Sequence, residues 1–208
     1  MYRILLFCAL LSLLPGCVTL PILQFGGPDL YSDGIRILTP EEVMYAYEAR
    51  VDKPMAYTNF AYYLSKEYRR SRSEFRRHDI LGQIIPVVDA RLDEAAGRKE
   101  YVLRFERDIG QYNFRTRTFH TGFAQVGYLH YTANYGIYFV NGNDWDLFAM
   151  PEDRAREIVR RGTRTVQWEA RITVDSAGGR VLSSGPLSFL ARERKVLNVA
   201  IKDLKVYW

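Results

Sequence analysis

The sequence predicts an α+β domain in which N-terminal helices pack on a twisted antiparallel β-sheet or partial barrel, with one short helix inserted between strands. Apolar residues between positions 40 and 97 recur at helical spacing, and from about 100 to 208 they alternate with polar residues, as in half-buried strands. The 208 residues, 48% hydrophobic and 25% charged, have a globular composition that suits a single domain.

The predicted helical half begins at Thr39, a favourable N-cap, with Pro40 at the first helical position. This first helix should end near Arg50. A second helical segment should run from about Ala56 to Gly97. Pro86 should kink or divide it, because proline lacks a backbone donor and clashes with the preceding turn.

The first part of the β half shows alternation interrupted by turn residues. The expected strands are 101–106, 112–118, 123–131, 135–140 and 145–148. The first two should form a hairpin around Gly110-Gln111. The dipeptide Asn141-Gly142, typical of hairpin turns, should lead into the last.

The end of the chain contains the clearest strand pattern. A short helix should run from Pro151 to about Gly162. Residues 166–174 then alternate between apolar and polar side chains, which predicts a half-buried strand. We expect this strand to turn back at 177–179 and the residues 196–208 to form a closing strand.

The N-terminus has the three-part organisation of an export signal. A basic start, Met1 to Arg3, precedes an uncharged apolar run from Ile4 to Leu14. That run is about 16 Å long as a helix, roughly half of a bilayer core, which favours cleavage over membrane spanning. A retained anchor helix within the uncharged stretch Ile4 to Gln24, and cleavage by the ordinary signal peptidase, are the alternatives. All three place the rest of the chain on the exported side.

The end of this signal, Leu14-Pro15-Gly16-Cys17, resembles the lipobox of bacterial lipoproteins through Leu14, Gly16 and Cys17. The resemblance implies that residues 1–16 are removed and that Cys17 is acylated, with palmitate as a typical chain. Val18 follows where the family uses Asp for inner-membrane retention, which implies an outer-membrane location facing the periplasm. Residues 17–38, rich in turn formers, would be a lipid-anchored tether, and 39–208 a single domain.

Local motifs of the common hydrolases, zinc proteases, redox proteins and nucleotide enzymes are absent from the sequence. We therefore expect no enzyme activity and no cofactor. The less favoured alternative is an enzyme acting on cell-wall material through scattered carboxylates such as Asp144 and Asp146.

No metal site is predicted. The histidines lack metal-ligand spacing; they are His78, His120 and His130. The oxygen-rich run Asn141 to Asp146 lacks the spacing of a calcium-binding EF-hand loop, and its residues suit a turn.

A basic segment offers the first candidate contact surface. It contains six cations within twelve residues: Lys66, Arg69, Arg70, Arg72, Arg76 and Arg77. On helices they spread over more than one face, as on a broad basic surface. Such a surface suits anionic lipid headgroups or an acidic partner, although a solvated face with internal ion pairs explains the same residues. An exported location disfavours nucleic acid as a target.

A tyrosine-rich segment offers the second candidate surface. Four of the fifteen tyrosines cluster there: Tyr128, Tyr131, Tyr135 and Tyr138. A tyrosine ring packs apolar groups while its hydroxyl stays hydrated, so the cluster suits a sheet face that binds a glycan, peptide or protein. Tyrosine is also common in β-strands that bind no ligand, which explains the same residues.

Together these observations favour a cell-envelope lipoprotein that acts by non-covalent binding, as an assembly, scaffold or accessory subunit. Its partners would be the membrane, through the lipid anchor, and an envelope protein. The alternative is a binding module for a glycan, a peptide or an apolar small molecule.

Overall fold

The computed structural model describes residues 31–125, 127–132, 134–162, 164–181 and 193–208. Within these ranges the predicted mixture of helices and sheet is confirmed, and the main sheet is a curled half-barrel of five strands. The expected signal peptide, Cys17 and the first part of the expected tether lie outside the described residues.

The front half contains a small strand pair and four helices. They are β1 (Tyr31–Ser32), β2 (Ile35–Arg36), α1 (Pro40–Glu48), α2 (Tyr57–Leu64), α3 (Lys66–Arg70) and α4 (Glu74–Gly97). The back half contains β3 (Glu100–Asp108), β4 (Tyr112–Asn113), β5 (Thr118–His120), β6 (Tyr128–His130), β7 (Tyr135–Phe139), a 3₁₀ helix (Gly142–Trp145), β8 (Leu147–Ala149), α5 (Glu152–Arg160), β9 (Thr165–Val181) and β10 (Glu193–Tyr207).

Serine caps divide the front helices. The first helix begins as predicted, because the Thr39 hydroxyl accepts from the backbone N–H of Glu42 at 3.2 Å. Ser65 and Ser73 cap α3 and α4 in the same way, so the expected segment 56–97 is broken at these two positions. Pro86 does not divide it, since α4 continues through this exposed residue.

Residues 31–38 are structured, unlike the extended tether expected there. The strands β1 and β2 pair antiparallel around a turn in which Asp33 and Gly34 adopt positive φ. Ile37 bridges to Val102 on β3, and Leu38 is fully buried. The domain therefore begins before Thr39.

The main sheet has the strand order β3-β9-β10-β7-β6. All of its pairs are antiparallel except β7 with β10, which run parallel, so the sheet is mixed. The predicted hairpin of 101–106 with 112–118 is wrong, because β3 pairs with β9. The predicted turn at 177–179 is also wrong, since these residues continue β9 and pair with β10.

A second sheet has the order β4-β5-β8. The predicted hairpin turn at Asn141-Gly142 is wrong, because a 3₁₀ helix follows it and β8 pairs with β5. The Asn141 side chain instead accepts from the N–H of Ile201 at 2.8 Å and donates to its carbonyl at 2.9 Å. The expected strand at 123–131 is reduced to β6.

The core lies between α1, the inner face of β9 and β10, and the second sheet. The alternation predicted for 166–174 is confirmed, since every second side chain from Val166 to Val174 is buried. Trp168 packs against Phe123 and Phe148 at ring-centre distances of 6.0 and 5.3 Å. The helix α1 contacts β9 and β10, and α2 and α4 pack on each other, with α4 also packing on α1.

Candidate contact surfaces

All six cations of the predicted basic surface lie on one projecting region. We call residues 62–79 the helical tip; it comprises the end of α2, all of α3 and the first turns of α4. None of its side chains is buried, and the first buried residue of α4 is Ile80. The region therefore presents its side chains to the surroundings and contributes little to the core.

Two of the cations are held in fixed positions. Arg69 donates to the carbonyl of Tyr62 at 2.6 Å, and its guanidinium lies 5.9 Å from the Tyr62 ring centre. Arg76 donates to the Glu67 carboxylate at 2.7 Å. These contacts tie α3 to its two neighbouring helices, so the tip has a defined shape.

The remaining cations are less constrained. Arg77 lies 5.7 Å from the ring centre of Tyr68. Lys66, Arg70 and Arg72 form no side-chain ion pair or hydrogen bond with any described residue. Their charges are therefore available to a ligand outside the domain.

The tip also carries an apolar side chain that the sequence reasoning missed. Phe75, in the first turn of α4, is 86% exposed, the largest exposure among the large hydrophobic residues of the described surface. Glu74 precedes it and Arg76 and Arg77 follow it in sequence. In the sequence, Phe75 stands out only as an aromatic residue within a run of charged and hydroxyl side chains. It does not belong to an apolar helical stripe that would predict its burial.

The structure separates the four tyrosines of the predicted aromatic surface. Tyr131 donates its hydroxyl to the carbonyl of Leu38, and burial raises its pKa to about 12. Tyr135 is buried and donates to the Glu48 carboxylate at 2.7 Å; burial first, and then this carboxylate, raise its pKa. Both hydroxyls are engaged inside the fold. Tyr128 and Tyr138 stand opposite each other on β6 and β7 and are half-buried.

Tyr135 belongs to a network around a buried carboxylate. The Glu48 side chain has no exposed surface, and it accepts from the Met55 N–H at 2.7 Å as well as from Tyr135. Lys195 supplies the neutralising charge, and its ammonium lies 5.4 Å from the ring centres of Tyr47 and Tyr135. Because all these groups satisfy one another, the network joins α1, β7 and β10 and leaves no free group for a ligand.

A second exposed surface lies beside α5. We call it the α5 groove; its volume is about 420 Å³ and its lining residues are Tyr112, Phe114, Ala155, Arg156, Val159 and Arg160. Phe114 and Val159 are 65% and 53% exposed. Arg156 pairs with Glu152 at 3.0 Å, whereas Arg160 forms no ion pair with a described residue. The sequence signal was the alternation of arginines with Ala155, Ile158 and Val159, which the sequence reasoning did not use.

The outer face of the main sheet carries a polar groove. Its volume is about 480 Å³, and Tyr207, Gln167 and Glu106 form a cross-strand row along it. Gln167 donates to Glu106 at 3.3 Å, and the buried Glu169 accepts from Arg104 at 2.8 Å. Arg104 neutralises Glu169, whereas Glu106 bonds the neutral Gln167, so the lining carries a formal charge of −1.

The residues considered for metal or enzyme chemistry are dispersed. Asp146 is 3.3 Å from His120 Nδ1 and also accepts from the Ala124 N–H, so it orders the chain around the 3₁₀ helix. Asp144 is exposed on that helix, and His78 and His130 are exposed elsewhere. Among the described residues, no three His, Cys, Asp or Glu side chains cluster as a metal site would require.

None of the helices within the described ranges has the length and apolarity needed to cross a membrane. The chain matches no family model, and comparisons with curated proteins and with solved structures give no significant match.

Proposed function

We propose that this protein is a lipid-anchored component of the bacterial cell envelope that acts by non-covalent binding, as an assembly, scaffold or accessory subunit. The lipobox resemblance around Cys17 supports the anchor, and Val18 supports an outer-membrane location facing the periplasm. In this proposal the front helices and the sheet form one body. The contacts of α1 with β9 and β10 support this packing.

The observation that carries the proposal is that two contact surfaces are built from different elements. The helical tip is formed by α2, α3 and α4, and the α5 groove by α5 and the β4 region. Each combines strongly exposed apolar side chains with arginines, a composition typical of interfaces. A protein with two such surfaces can hold two bodies at once, which is the task of a scaffold or an accessory subunit.

The α5 groove is the surface proposed for the envelope protein partner. Phe114 and Val159 give it an apolar floor, while Arg156 and Arg160 provide positive charge at its side. A partner segment that carries an apolar side chain next to carboxylates would fit this surface. Its apolar side chain would cover Phe114 and Val159, and its carboxylates would pair with the arginines. We therefore propose an acidic segment of an envelope protein as its occupant.

The alternative function, a ligand-binding module, is favoured by the polar groove on the main sheet. Its volume lies within the range of small-molecule sites, roughly 300–1,000 Å³. Half of the Tyr207 side chain is exposed beside Gln167 and Glu106. Since the lining carries a formal charge of −1, a neutral polar ligand such as a glycan would fit better than an anion.

Crosslinking and mild-detergent purification of the lipidated protein from its own envelope, followed by mass spectrometry, tests the proposal. We expect a stoichiometric protein partner with the wild type and its loss with Phe114→Ser plus Val159→Ser. Val140→Ser is the matched control, because Val140 is also 44% exposed but lies outside the groove. Retention of the partner by the groove variant would contradict this assignment. A co-purified small molecule without a protein partner would favour the alternative.

A further inference from the structure

We propose that the helical tip docks on an anionic lipid surface, with Phe75 inserted between headgroups and the surrounding cations bound to phosphates. This inference rests on the proposed function, which places the domain at a membrane, and it adds a second, non-covalent membrane contact made by the folded domain itself. The lipid anchor would hold the protein at the membrane, and the helical tip would orient the folded domain relative to the membrane surface.

Most side chains of the tip have no role in the core. From Tyr62 to Asp79 no side chain is fully buried, and only Leu64 and Tyr68 pack partly against the core. Ser65 and Ser73 cap α3 and α4, and Arg69 and Arg76 fix α3 against its neighbours. The tip is therefore an ordered region whose charged side chains and Phe75 face the surroundings.

Phe75 is the most exposed apolar side chain of the tip. A side chain that is 86% exposed gains free energy when it leaves water, and this transfer is the main source of interfacial binding. Tyr62 and Tyr63, which are about half exposed, belong to the end of α2 in the same tip. Tyrosine is enriched at membrane interfaces, since its ring is apolar and its hydroxyl is polar.

The tip is positively charged. It contains six cations against the carboxylates of Glu67, Glu74 and Asp79, a formal net charge of +3. Lys66, Arg70 and Arg72 have no partner among the described residues and come from α3 and the loop before α4. Each cation near an anionic leaflet strengthens binding by about fivefold. Because the cations are spread over α3, the following loop and α4 instead of forming one stripe, they suit a deformable layer of anionic headgroups better than a rigid protein pocket.

Vesicle co-flotation of the chain from position 17 onward, carrying Cys17→Ala, tests this inference. This chain has no acyl group, so binding cannot come from the lipid anchor, and the tip variants report the contribution of the helical tip. We expect binding to vesicles that contain phosphatidylglycerol, no binding to vesicles of phosphatidylcholine alone, and weakening as salt is raised. Phe75→Ser should weaken binding about tenfold. Replacement of Lys66, Arg70 and Arg72 by Gln should weaken it about a hundredfold.

Two matched controls lie outside both the helical tip and the α5 groove. Leu147→Ser removes an apolar side chain that is 53% exposed, and Arg115→Gln, Arg117→Gln and Lys202→Gln together remove the same charge from exposed positions. Both should leave vesicle binding within about twofold of the wild type. Urea unfolding of each variant confirms that its fold is intact.

Equal binding by Phe75→Ser and the wild type, or equal weakening by the control charge variant, would overturn the inference. Loss of the envelope partner in the tip variants, without any vesicle binding by the wild type, would make the tip a protein interface and would also overturn it. A different result would contradict the proposed function and leave the lipid contact intact. In that result, neither a partner nor a ligand co-purifies with the lipidated protein, while vesicle binding persists.

Discussion

Removal of one hydroxyl from the network around Glu48 gives a quantitative test of the fold. The substitution Tyr135→Phe removes the 2.7 Å hydrogen bond to a carboxylate that has no exposed surface. A hydrogen bond to a charged group contributes about 1.5–3 kcal/mol, and the carboxylate keeps its contacts with Met55 and Lys195. We therefore expect the free energy of unfolding to fall by about 2 kcal/mol.

Tyr131→Phe is the matched control, because its hydroxyl donates to a neutral backbone carbonyl. A neutral hydrogen bond contributes about 1 kcal/mol. With a urea dependence of about 2 kcal/mol per molar, the unfolding midpoint should fall by about 1 M for Tyr135→Phe and about 0.5 M for Tyr131→Phe.

Urea unfolding followed by circular dichroism measures both shifts on the unlipidated chain. In a Glu48→Gln background, Tyr135→Phe should lose much of its effect, because the charge that made the hydrogen bond strong is gone. The reasoning is refuted if Tyr135→Phe lowers the midpoint no more than Tyr131→Phe does, or if its effect is the same in both backgrounds.

Three further predictions concern the anchor, a carboxyl group and two glycines. Cys17→Ala should release the protein from membranes in a cell-fractionation assay; membrane retention of an uncleaved precursor would support the anchor-helix alternative. Burial raises the pKa of Glu41, so its charge opposes folding above that pKa and the penalty disappears as pH falls through it. Glu41→Gln should therefore be more stable than the wild type at neutral pH, with an advantage that shrinks toward acidic pH in urea unfolding; a pH-independent difference would contradict this. Gly82→Ala, with open space in mid-helix, should raise stability by about 0.5–1 kcal/mol. Gly142→Ala should lower it by about 1–3 kcal/mol in the same assay, because its new Cβ would lie 2.7 Å from the backbone carbonyl of Phe123; equal effects of the two alanines would be inconsistent with the packing described.

The sequence predicted those helices and strands that are specified by the pattern of neighbouring residues. The alternation of 166–174 was visible because one face of β9 is buried from Val166 to Val174. Pairing was not predictable in the same way, since β3 joins β9 across a separation of 65 residues at the pair Arg104–Glu169. Asn141-Gly142 looked like a hairpin turn, but Asn141 instead forms two hydrogen bonds to β10. A long-range partner gives no local signal.

For the candidate surfaces too, local features could be predicted from the sequence and long-range contacts could not. The cations of the helical tip were predicted, because charge density is a property of the segment itself. The exposure of Phe75 and the inward orientation of Tyr131 and Tyr135 depend on packing, which only the fold specifies. The α5 groove was missed because Phe114 and Val159 are 45 residues apart in the chain and meet only when α5 lies beside the β4 region.

The position of β10 has a consequence for the timing of folding. This strand follows all the others in the described chain, yet it lies in the middle of the main sheet, between β9 and β7. Until it is in place, β7 and β6 have no connection to β3 and β9 within that sheet. Without β10 the strand pairs β3–β9 and β6–β7 remain two separate halves of the main sheet. In a chain that emerges N-terminus first, the five-stranded sheet would be completed only after Glu193 to Tyr207 emerge.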